Sequence, residues 1–345
     1  MPRQPTPSPA PRTTLADVAA ASGVDTSTVS RVLRGEQGHR VTAETRERVL
    51  ASAQALGYRP NPMARGLRTA RSHTLGIAVP QLENPVFPEI ILGAEAAARA
   101  RGYSLLIAHG LDGPADAAAY EHLSHVSHVD GLLVATLEGE AQLARSLERS
   151  GVPYVLINRK LARAAHHVVF DNFAAAESAT EHVLALGHQR VAHLAGHTAG
   201  YNGKRRLAGY RSALEAAGLQ PDAALVVEAG YTFEGGLLGM RQLLALPEPP
   251  TAVVAATVLS AAGALKALHD ARVRVPGQVS VIAIHDVPMA EMLHPALTTV
   301  RLPLRQMGQL AAEGLIDLIE GRRQAVEHTL SPEQVVPRAS TARRR

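Results

Sequence analysis

Apolar residues between positions 14 and 57 recur every three or four residues, the spacing that buries one face of an α-helix. Thr14 can cap a first helix with Asp17 in its opening turn, and Gly23 ends that helix. In a third helix the predicted buried stripe is Val49, Leu50, Ala53 and Leu56. The pattern therefore predicts three short helices, over 15–22, 26–33 and 42–56.

The second of these helices has two chemically different faces. At about 100° per residue, one side carries Thr26, Ser27, Ser30 and Arg31, and the other side carries Val29, Val32 and Leu33. The apolar side can pack on the first helix while the polar side presents hydroxyls and a guanidinium. Two short helices joined by a glycine turn are typical of a helix-turn-helix that reads DNA, although any small three-helix domain could carry this pattern.

From residue 74 the pattern changes to short apolar runs that alternate with alanine-rich helical stretches. Such runs are typical of parallel sheets built from βαβ units, and their number fits two doubly wound subdomains better than one sheet. Small ligands bind such folds beyond the carboxyl ends of the strands, here between the two lobes. The predicted strands are 75–80, 103–108, 131–135, 154–157, 168–170, 191–194, 225–227, 252–256 and 279–284.

Charge is divided unevenly along the chain. The 345 residues carry a formal net charge of +4, yet residues 1–73 alone contribute +6, from eleven Arg and five acidic residues. Residues 74–337 contribute −6, and the last eight residues add four Arg. A basic N-terminal segment before an acidic remainder indicates that the N-terminal segment binds a polyanion. A basic solvated surface without a partner would give the same charge pattern.

Composition and motifs exclude several classes of protein. Hydrophobic residues make up 46% of the chain, which suffices for a packed core, and no apolar run is long enough to span a membrane. The proline-rich residues 1–12 predict a disordered arm without a secretory signal. The chain has no cysteine, which excludes disulfides and thiolate ligands and fits a cytoplasmic protein without proving it.

Signatures of enzymes and metal sites are weak. The sequence has no dinucleotide-binding glycine motif, phosphate loop, H-E-x-x-H motif or nucleophile elbow. His122, His125 and His128 lie three residues apart, which suggests a metal site. Residues at this spacing do not stay on one face of a helix, so we expect these histidines to be solvated or to pack. We therefore expect no catalytic residue, no metal site and no cofactor.

The stretch from Thr14 to Thr69 contains TLADVAAASGVDTSTVSRVLRG and VTAETRERVLASAQALGYRPNPMARGLRT. It resembles the DNA-binding headpiece of the lactose-repressor (LacI/GalR) family of bacterial transcription regulators. The resemblance continues to about Arg338 through segments such as LGIAVPQLENPVFPEI, VDGLLV, VVFDN and HPALTTVRLP. It implies an N-terminal all-α helix-turn-helix headpiece and an α/β core of two doubly wound subdomains, similar to periplasmic sugar-binding proteins, that binds an effector and dimerises.

The resemblance implies DNA contacts residue by residue. Thr26 and Ser27 occupy the specificity positions of the recognition helix, and Arg31 occupies a base-contacting position from which it can bind guanine O6 and N7. Thr28 and Ser30 are expected at phosphates, with ordinary solvation as the alternative. The predicted DNA-binding residues are Thr14, Thr26, Ser27, Thr28, Ser30, Arg31, Asn61, Ala64, Leu67 and Arg68.

The same resemblance makes residues 62–68 a hinge helix in the minor groove, against its twofold mate. Asn61 can cap this helix, which is too short to persist alone in water. Leu67 would wedge into the central base step, with Ala64 beside it and Arg68 toward the groove. A local apolar contact is the alternative for Leu67.

For the effector, the resemblance implies a cleft in which Arg206 clamps the ligand. Phe87 would stack on a ring face or simply pack, and Arg159 and Asp171 could pair with each other instead of touching the ligand. The predicted effector-binding residues are Val86, Phe87, Asn158, Arg159, Asp171, Asn202, Arg206, Tyr231, Thr257 and His285.

Two positions depart from relatives that bind sugars. Thr257-Val258 stands where they often carry Asn-Asp, and His285 stands where they carry Asp. The carboxylate that would bind two sugar hydroxyls is therefore absent or displaced to Asp286. We hypothesise that the ligand is acidic, such as a sugar acid.

The expected organisation is an arm over 1–12, a headpiece over 13–60, a hinge and linker over 61–72, a core over 73–338 and a basic tail over 339–345. The N-subdomain of the core comprises about 73–172 plus 302–331, and the C-subdomain about 173–301 plus 332–338. The chain shows no leucine heptads at its end, so we expect a homodimer on a pseudo-palindromic operator.

The expected function is that of a cytoplasmic transcription regulator, a repressor controlled by a small-molecule effector. A transport binding protein with the same core is one alternative, and an α/β enzyme acting on sugars or nucleotides is another. The helix-turn-helix pattern disfavours the first, and the missing catalytic motifs disfavour the second.

Overall fold

A computed structural model describes residues 13–33, 41–58, 71–109, 129–135, 140–161 and 166–344, apart from some side chains between 140 and 146. They divide into two compact units with a boundary between Ser72 and His73. Among them, no helix is both long and apolar enough to cross a membrane. The predictions for Asn61, Ala64, Leu67, Arg68 and the run His122, His125, His128 lie outside the described residues.

The first unit contains three helices, α1 (Leu15–Ser22), α2 (Thr26–Leu33) and α3 (Ala43–Ala55). The helix α1 begins with a reciprocal cap, in which the Thr14 N–H donates to the Asp17 carboxylate at 2.7 Å and the Asp17 N–H donates to the Thr14 hydroxyl at 3.3 Å. It ends at Gly23, whose φ of +62° favours glycine. The turn into α2 is thus set by local sequence.

The small core of this unit consists of aliphatic side chains from all three helices: Val18, Ala19, Val29, Val32, Val49 and Ala53. The predicted stripe of α3 is wrong at two positions, because Leu50 is 48% exposed and Leu56 is 40% exposed. Leu50 lies about 100° around the helix from Val49, and Leu56 follows the last helical turn. Three short helices bury only the narrow Val49 and Ala53 face of α3.

The second unit is an α/β fold with two six-stranded sheets. Its strands are β1 (Thr74–Val79), β2 (Ser104–His109), β3 (Gly131–Val134), β4 (Tyr154–Ile157), β5 (His166–Phe170), β6 (Val191–Ala195), β7 (Val226–Glu228), β8 (Ala252–Ala255), β9 (Ser280–Ile284), β10 (Thr298–Arg301), β11 (Val326–Leu330) and β12 (Gln334–Val336). Its helices are α4 (Val86–Ala100), α5 (Glu140–Ser150), α6 (Asn172–Ala185), α7 (Tyr201–Ala216), α8 (Phe233–Leu244), α9 (Val258–Asp270), α10 (Met289–Met292) and α11 (Leu304–Ile319).

The sheet orders show that the chain passes between the two lobes three times. The first sheet has the order β11-β5-β4-β3-β1-β2 and the second has the order β12-β10-β9-β8-β6-β7. All described strand pairs are parallel except β10 with β12. The crossings follow β5, β10 and β11, so each lobe contains segments that are distant in sequence. The two-sheet architecture is the predicted fold class.

Three strands, β10 to β12, were not predicted individually. They are short and carry polar residues, as in Thr298–Arg301 and Val326–Leu330, so they lack the continuous apolar run that marks a buried parallel strand. β11 and β12 are the edge strands of their sheets, so each pairs with a strand on one side only. β10 lies next to the edge and pairs with β12 in the antiparallel direction. The polar pattern therefore reflects edge positions.

The last residues of the chain pack on the second sheet. The Val281 N–H donates to the Ser340 carbonyl at 2.9 Å, the fully buried Ser340 hydroxyl donates to the Val281 carbonyl at 2.6 Å, and the Arg344 N–H donates to the Leu186 carbonyl at 2.8 Å. This packing corrects the expectation of a separate basic tail over 339–345. Residues 339–344 are part of the second lobe.

The Arg338 side chain fixes this segment through a nearly buried ion pair. Its Nη2 lies 2.8 Å from the Asp286 carboxylate, and the two side chains are 12% and 8% exposed. The same carboxylate accepts from Arg301 at 2.7 Å and from the Thr299 hydroxyl at 2.7 Å. These donors hold the pKa of Asp286 below its ordinary value although burial opposes them.

We expect Arg338→Met to lower the free energy of unfolding by about 3 kcal/mol, because it leaves a largely buried carboxylate with one fewer cation. Circular dichroism during urea unfolding measures this, since the chain has no tryptophan. The control is Arg343→Met, which removes the same charge from an exposed side chain of the same segment. Equal effects of the two substitutions would contradict a structural role for the Arg338 pair.

Candidate functional site

The N-terminus of α2 carries a network of hydroxyls around one carboxylate. Asp25 accepts from the Thr28 N–H at 2.9 Å, from the Thr28 hydroxyl at 2.8 Å, and from the Ser27 hydroxyl. These hydrogen bonds lower the pKa of Asp25. Asp25 thus caps the helix and fixes the orientation of two hydroxyls at its exposed end.

The two faces of α2 differ in burial as their chemistry requires. Val29 and Val32 are buried against α1 and α3, whereas Thr26 and Ser27 are exposed. Ser30 and Arg31 lie half-buried at the border between the two faces. The structure therefore leaves Thr26 and Ser27 available to a partner and places Arg31 one turn further along. Their contacts with DNA remain predictions.

A cleft in the second unit gathers residues that follow the carboxyl ends of six strands. It is open to solvent and combines apolar side chains with a few polar groups, the lining typical of a small-molecule site. This position is the one where open α/β sheets bind ligands. The cleft is lined by Pro80, Gln81, Asn84, Val86, Phe87, Asn158, Asn202, Arg206, Tyr231, Thr257 and His285.

Arg206 lies on α7 at the base of the cleft and is only 1% exposed. Its Nε donates to the Asn172 side-chain oxygen at 2.7 Å, and its Nη1 donates to the Ala256 carbonyl at 2.6 Å. Its Nη2 donates to His285 Nε2 at 3.2 Å. Burial lowers the pKa of Arg206 to about 10, so the guanidinium stays charged at neutral pH.

His285 follows β9 and is held as a neutral imidazole. Because Arg206 can only donate, Nε2 of His285 must accept, which places the proton on Nδ1. Burial, and then the Arg206 charge, lower the pKa of His285 well below its ordinary value. The residue has a φ of +77°, a left-handed conformation that strains most side chains.

A chain of amide hydrogen bonds connects Arg206 to the first lobe. Asn172 accepts from Arg206 and donates to the Asn202 side-chain oxygen at 3.0 Å. Asn202 in turn donates to the Asn158 carbonyl at 2.8 Å, at the end of β4 in the first sheet. The orientation of the Arg206 guanidinium is therefore linked to the backbone of the opposite lobe.

The remaining lining residues have mixed roles. The Thr257 hydroxyl accepts from the Ser260 N–H at 3.2 Å in a reciprocal cap of α9, so it helps to begin that helix as well as to line the cleft. Tyr231 packs edge-on against His197, with ring centroids 5.2 Å apart, and burial raises the pKa of its hydroxyl. The Asn158 side-chain oxygen is buried with no hydrogen-bond partner among the described residues.

Two predicted effector residues, Arg159 and Asp171, are not among the residues that line the cleft. Asp171 accepts from the Ala174 N–H at 3.2 Å as the cap of α6 and forms an ion pair with Arg205 at 3.7 Å. The suggestion that the missing carboxylate is displaced to Asp286 is wrong. Asp286 is committed to Thr299, Arg301 and Arg338 and does not line the cleft.

Four residues of the site were missed from the sequence: the lining residues Pro80, Gln81 and Asn84, and Asn172 behind Arg206. Each follows a predicted strand, β1 or β5, so the rule that ligands bind beyond strand ends could have identified them. Among the described residues, no group of three or more metal-ligating side chains could hold a metal ion.

Comparison with known sequences gives two family matches. Residues 14–61 match the profile of bacterial regulatory proteins of the lacI family, and residues 180–341 match the profile of a periplasmic binding protein-like domain. The regulator CelR of Thermobifida fusca is 36% identical over 318 residues, covering 90% of this chain and 93% of CelR. The repressor CytR of Escherichia coli K12 is 31% identical over 331 residues, covering 95% of this chain and 96% of CytR.

Solved structures agree with these matches. A CelR–cellobiose complex aligns with a TM-score of 0.73 at 34% identity and covers 95% of this chain and 100% of that one. The lac repressor dimer bound to operator and the anti-inducer ONPF aligns with a TM-score of 0.85 at 28% identity, over 96% of this chain and 100% of that one.

The buried histidines of the second unit predict a pH dependence of stability. Burial lowers the pKa of His193 to about 4 and holds that of His285 well below its ordinary value, whereas in the unfolded chain both titrate near about 6.5. The unfolded chain then binds protons first, so the free energy of unfolding should fall as the pH drops below about 6.5.

Urea unfolding between about pH 7.5 and pH 5 measures this slope. His285→Asn should reduce the slope, because it removes a histidine whose pKa is held low in the folded protein. Identical slopes for the wild-type chain and for His285→Asn would show that His285 is not held neutral in the folded protein.

Proposed function

The chain belongs to the lacI family of bacterial regulatory proteins, and from this premise we propose that it is a repressor whose first unit binds an operator under control of an effector in the cleft. The observation that carries the proposal is the combination, in one chain, of a capped helix with an exposed polar face and a cleft lined by residues that follow six strand ends. Its relatives are named transcription regulators, and we assign it no catalytic reaction.

For DNA, the proposal assigns α2 to the major groove. Thr26 and Ser27 would meet bases through short contacts, and Arg31 would bind a guanine edge with two hydrogen bonds. Ser30 would approach a phosphate, with Thr14 at the neighbouring helix end. Thr28 would bind a phosphate by turning its hydroxyl from Asp25 to the phosphate oxygen. The support is the burial of the opposite face of α2 and the net charge of +6 on residues 1–73. Binding should therefore weaken steeply with salt.

Outside the described residues, we propose that Asn61 caps a hinge helix and that Ala64, Leu67 and Arg68 face the minor groove. Leu67 would wedge between two base pairs and kink the duplex. The support is the resemblance of MARGLR and its surroundings to the family hinge. A Leu67→Ala variant that bends the operator as strongly as the wild-type chain, in a circular-permutation gel assay, would contradict the wedge.

For the effector, the proposal assigns recognition to the cleft. Arg206, His285, Asn158 and Asn202 would bind polar groups of the ligand, and Phe87 would pack on it. Val86, Tyr231 and Thr257 complete the wall. Arg159 and Asp171 follow the strands β4 and β5 outside the lining, and we assign them no contact with the ligand. CelR was solved with cellobiose, so a saccharide or a related metabolite is the first class to test.

We propose a homodimer on a pseudo-palindromic operator, acting in the bacterial cytoplasm where operators are found. The lac repressor neighbour is a dimer bound to operator. The second unit also exposes large apolar side chains, with Leu92 49%, Leu238 62% and Met292 81% exposed, which a partner subunit could cover. Two headpieces related by a twofold axis require two half-sites related in the same way.

Effector binding would act on DNA by changing the relation of the two lobes. The three crossings between the lobes and the Asn172–Asn202–Asn158 bonds make lobe movement and Arg206 orientation interdependent. An effector that binds one lobe arrangement better than the other shifts the equilibrium between them. A transport binding protein would have no use for the first unit, and an enzyme would need reactive groups that the cleft residues do not supply.

A gel-shift titration with DNA upstream of the gene for this chain tests the DNA-binding half of the proposal. Arg31→Ala should weaken specific binding about 10- to 100-fold, the loss expected for one bidentate base contact. Arg99→Ala is the matched control, because it removes the same charge from an exposed side chain of the second unit. Equal affinities of the Arg31→Ala and Arg99→Ala variants would contradict the assignment of α2.

A further inference from the structure

The cleft contains an unusual balance of charge. Among its described lining residues, Arg206 is the one formally charged side chain, and His285 beside it is neutral. The three acceptors that hold the guanidinium are an amide oxygen, a peptide carbonyl and an imidazole nitrogen, none of which carries a negative charge. A cation buried this deeply is ordinarily paired with an anion.

Three carboxylates that lie at or just after strand ends of the two sheets are committed elsewhere. Asp171 caps α6 and pairs with Arg205, and Asp286 is held by Arg301 and Arg338. Glu228 accepts from the Thr198 N–H at 3.1 Å and from its hydroxyl, and these bonds lower the pKa of Glu228. None of these three carboxylates is among the residues that line the cleft.

Arg206 retains donors for a ligand. A guanidinium has five N–H groups, and three are used by Asn172, Ala256 and His285. The two that remain belong to Nη1 and Nη2, the fork that binds the two oxygens of one carboxylate when both N–H groups face it. The protein thus supplies the cation and the donors, and leaves the negative charge to the ligand.

The other polar groups of the cleft suit hydroxyls. Gln81, Asn84 and Asn202 contribute amides, and the Asn158 side-chain oxygen is a buried acceptor with no partner among the described residues. An amide can both donate to and accept from a hydroxyl. Phe87 adds an apolar surface against which a ring or carbon chain can lie.

We infer that the effector is a polyhydroxylated carboxylate, such as a sugar acid, and that Arg206 binds its carboxylate while the amides bind its hydroxyls. This inference rests on the proposed function, because it assumes that the cleft is the effector site. His285 determines the ligand class. As a neutral acceptor it leaves the positive charge of Arg206 uncompensated, whereas an aspartate side chain at position 285 would cancel that charge.

Ligand-induced stabilisation of the intact protein tests the inference. We would measure thermal unfolding by circular dichroism at pH 7.5 with D-glucuronate, D-galacturonate or D-gluconate and with their neutral counterparts D-glucose and D-galactose. Cellobiose, acetate and inorganic phosphate complete the panel. At about 10 mM, at least one sugar acid should raise Tm by several degrees, whereas its neutral counterpart and the simple anions should not.

Three results would overturn the inference. They are stabilisation by a neutral sugar without stabilisation by any acid, an equal response to acetate or phosphate alone, and no response to any acid. Isothermal titration of the responding acid then gives the Kd for the comparison of variants.

A pair of substitutions at position 285 isolates charge from shape. His285→Asp places a carboxylate beside Arg206 and should weaken binding of the acid at least about tenfold relative to its neutral counterpart. His285→Asn is the neutral control, for which the acid should still bind more tightly than its counterpart. Asp and Asn both tolerate the positive φ at this position. An equal loss of acid selectivity in both variants would contradict the role of charge.

Gln81→Glu provides a second test that leaves the Arg206 contacts unchanged. It adds a carboxylate to the opposite wall of the cleft and should weaken acid binding in the same direction. Should His285→Asp unfold, this variant decides the question, and unaltered acid affinity in Gln81→Glu would overturn the inference.

Gel shifts with the same ligands separate this inference from the proposed function. If a neutral sugar alone alters operator binding, the regulator proposal stands and the inference on ligand class is wrong. If an acid binds the cleft but operator binding does not change, the ligand class stands and the proposed control of DNA binding is wrong.

Discussion

The buried guanidinium of Arg206 is the interaction on which the cleft of the second unit depends. It joins α7 to the start of α6 through Asn172, to the end of β8 through the Ala256 carbonyl, and to the end of β9 through His285. A cation at 1% exposure needs a hydrogen-bond acceptor for most of its N–H groups, and these three segments supply them. The position of the positive charge thus follows from the positions of the strand ends. A ligand that contacts the guanidinium is therefore linked by hydrogen bonds to all three segments.

Two parallel sheets that share their connections make such a site responsive. Because the chain crosses between the lobes after β5, β10 and β11, a rotation of one lobe against the other must be absorbed by these three connections. The amide chain from Arg206 through Asn172 and Asn202 ends on the Asn158 carbonyl of the first sheet. A ligand that stabilises one arrangement of these bonds changes the relative free energies of two lobe arrangements, and such a change is the physical requirement for the proposed control of DNA binding.

Periodicity and strand-end rules predicted much of the structure, and their failures have local causes. The caps at Thr14 and Asp25 and the two-sheet core follow from short-range patterns that tertiary contacts did not override. Leu50 is exposed because helical spacing does not state how wide the buried face is. Asp286 is the second residue after β9, yet its carboxylate pairs with Arg301 and Arg338 and does not line the cleft, which position after a strand cannot decide. Asn172 belongs to the site because its side-chain oxygen accepts from Arg206. A contact between two side chains that are 34 residues apart produces no periodic pattern in the sequence.

Thermodynamic reciprocity between the cleft and the operator tests the central claim most directly. Operator affinity would be measured by fluorescence anisotropy at one fixed salt concentration, with and without a saturating cleft ligand. The affinity of that ligand would be measured by calorimetry, with and without operator. If the ligand controls DNA binding, the two affinity ratios are equal and differ clearly from one. If the operator and the cleft ligand each bind but neither changes the affinity of the other, so that both ratios equal one, the account is contradicted.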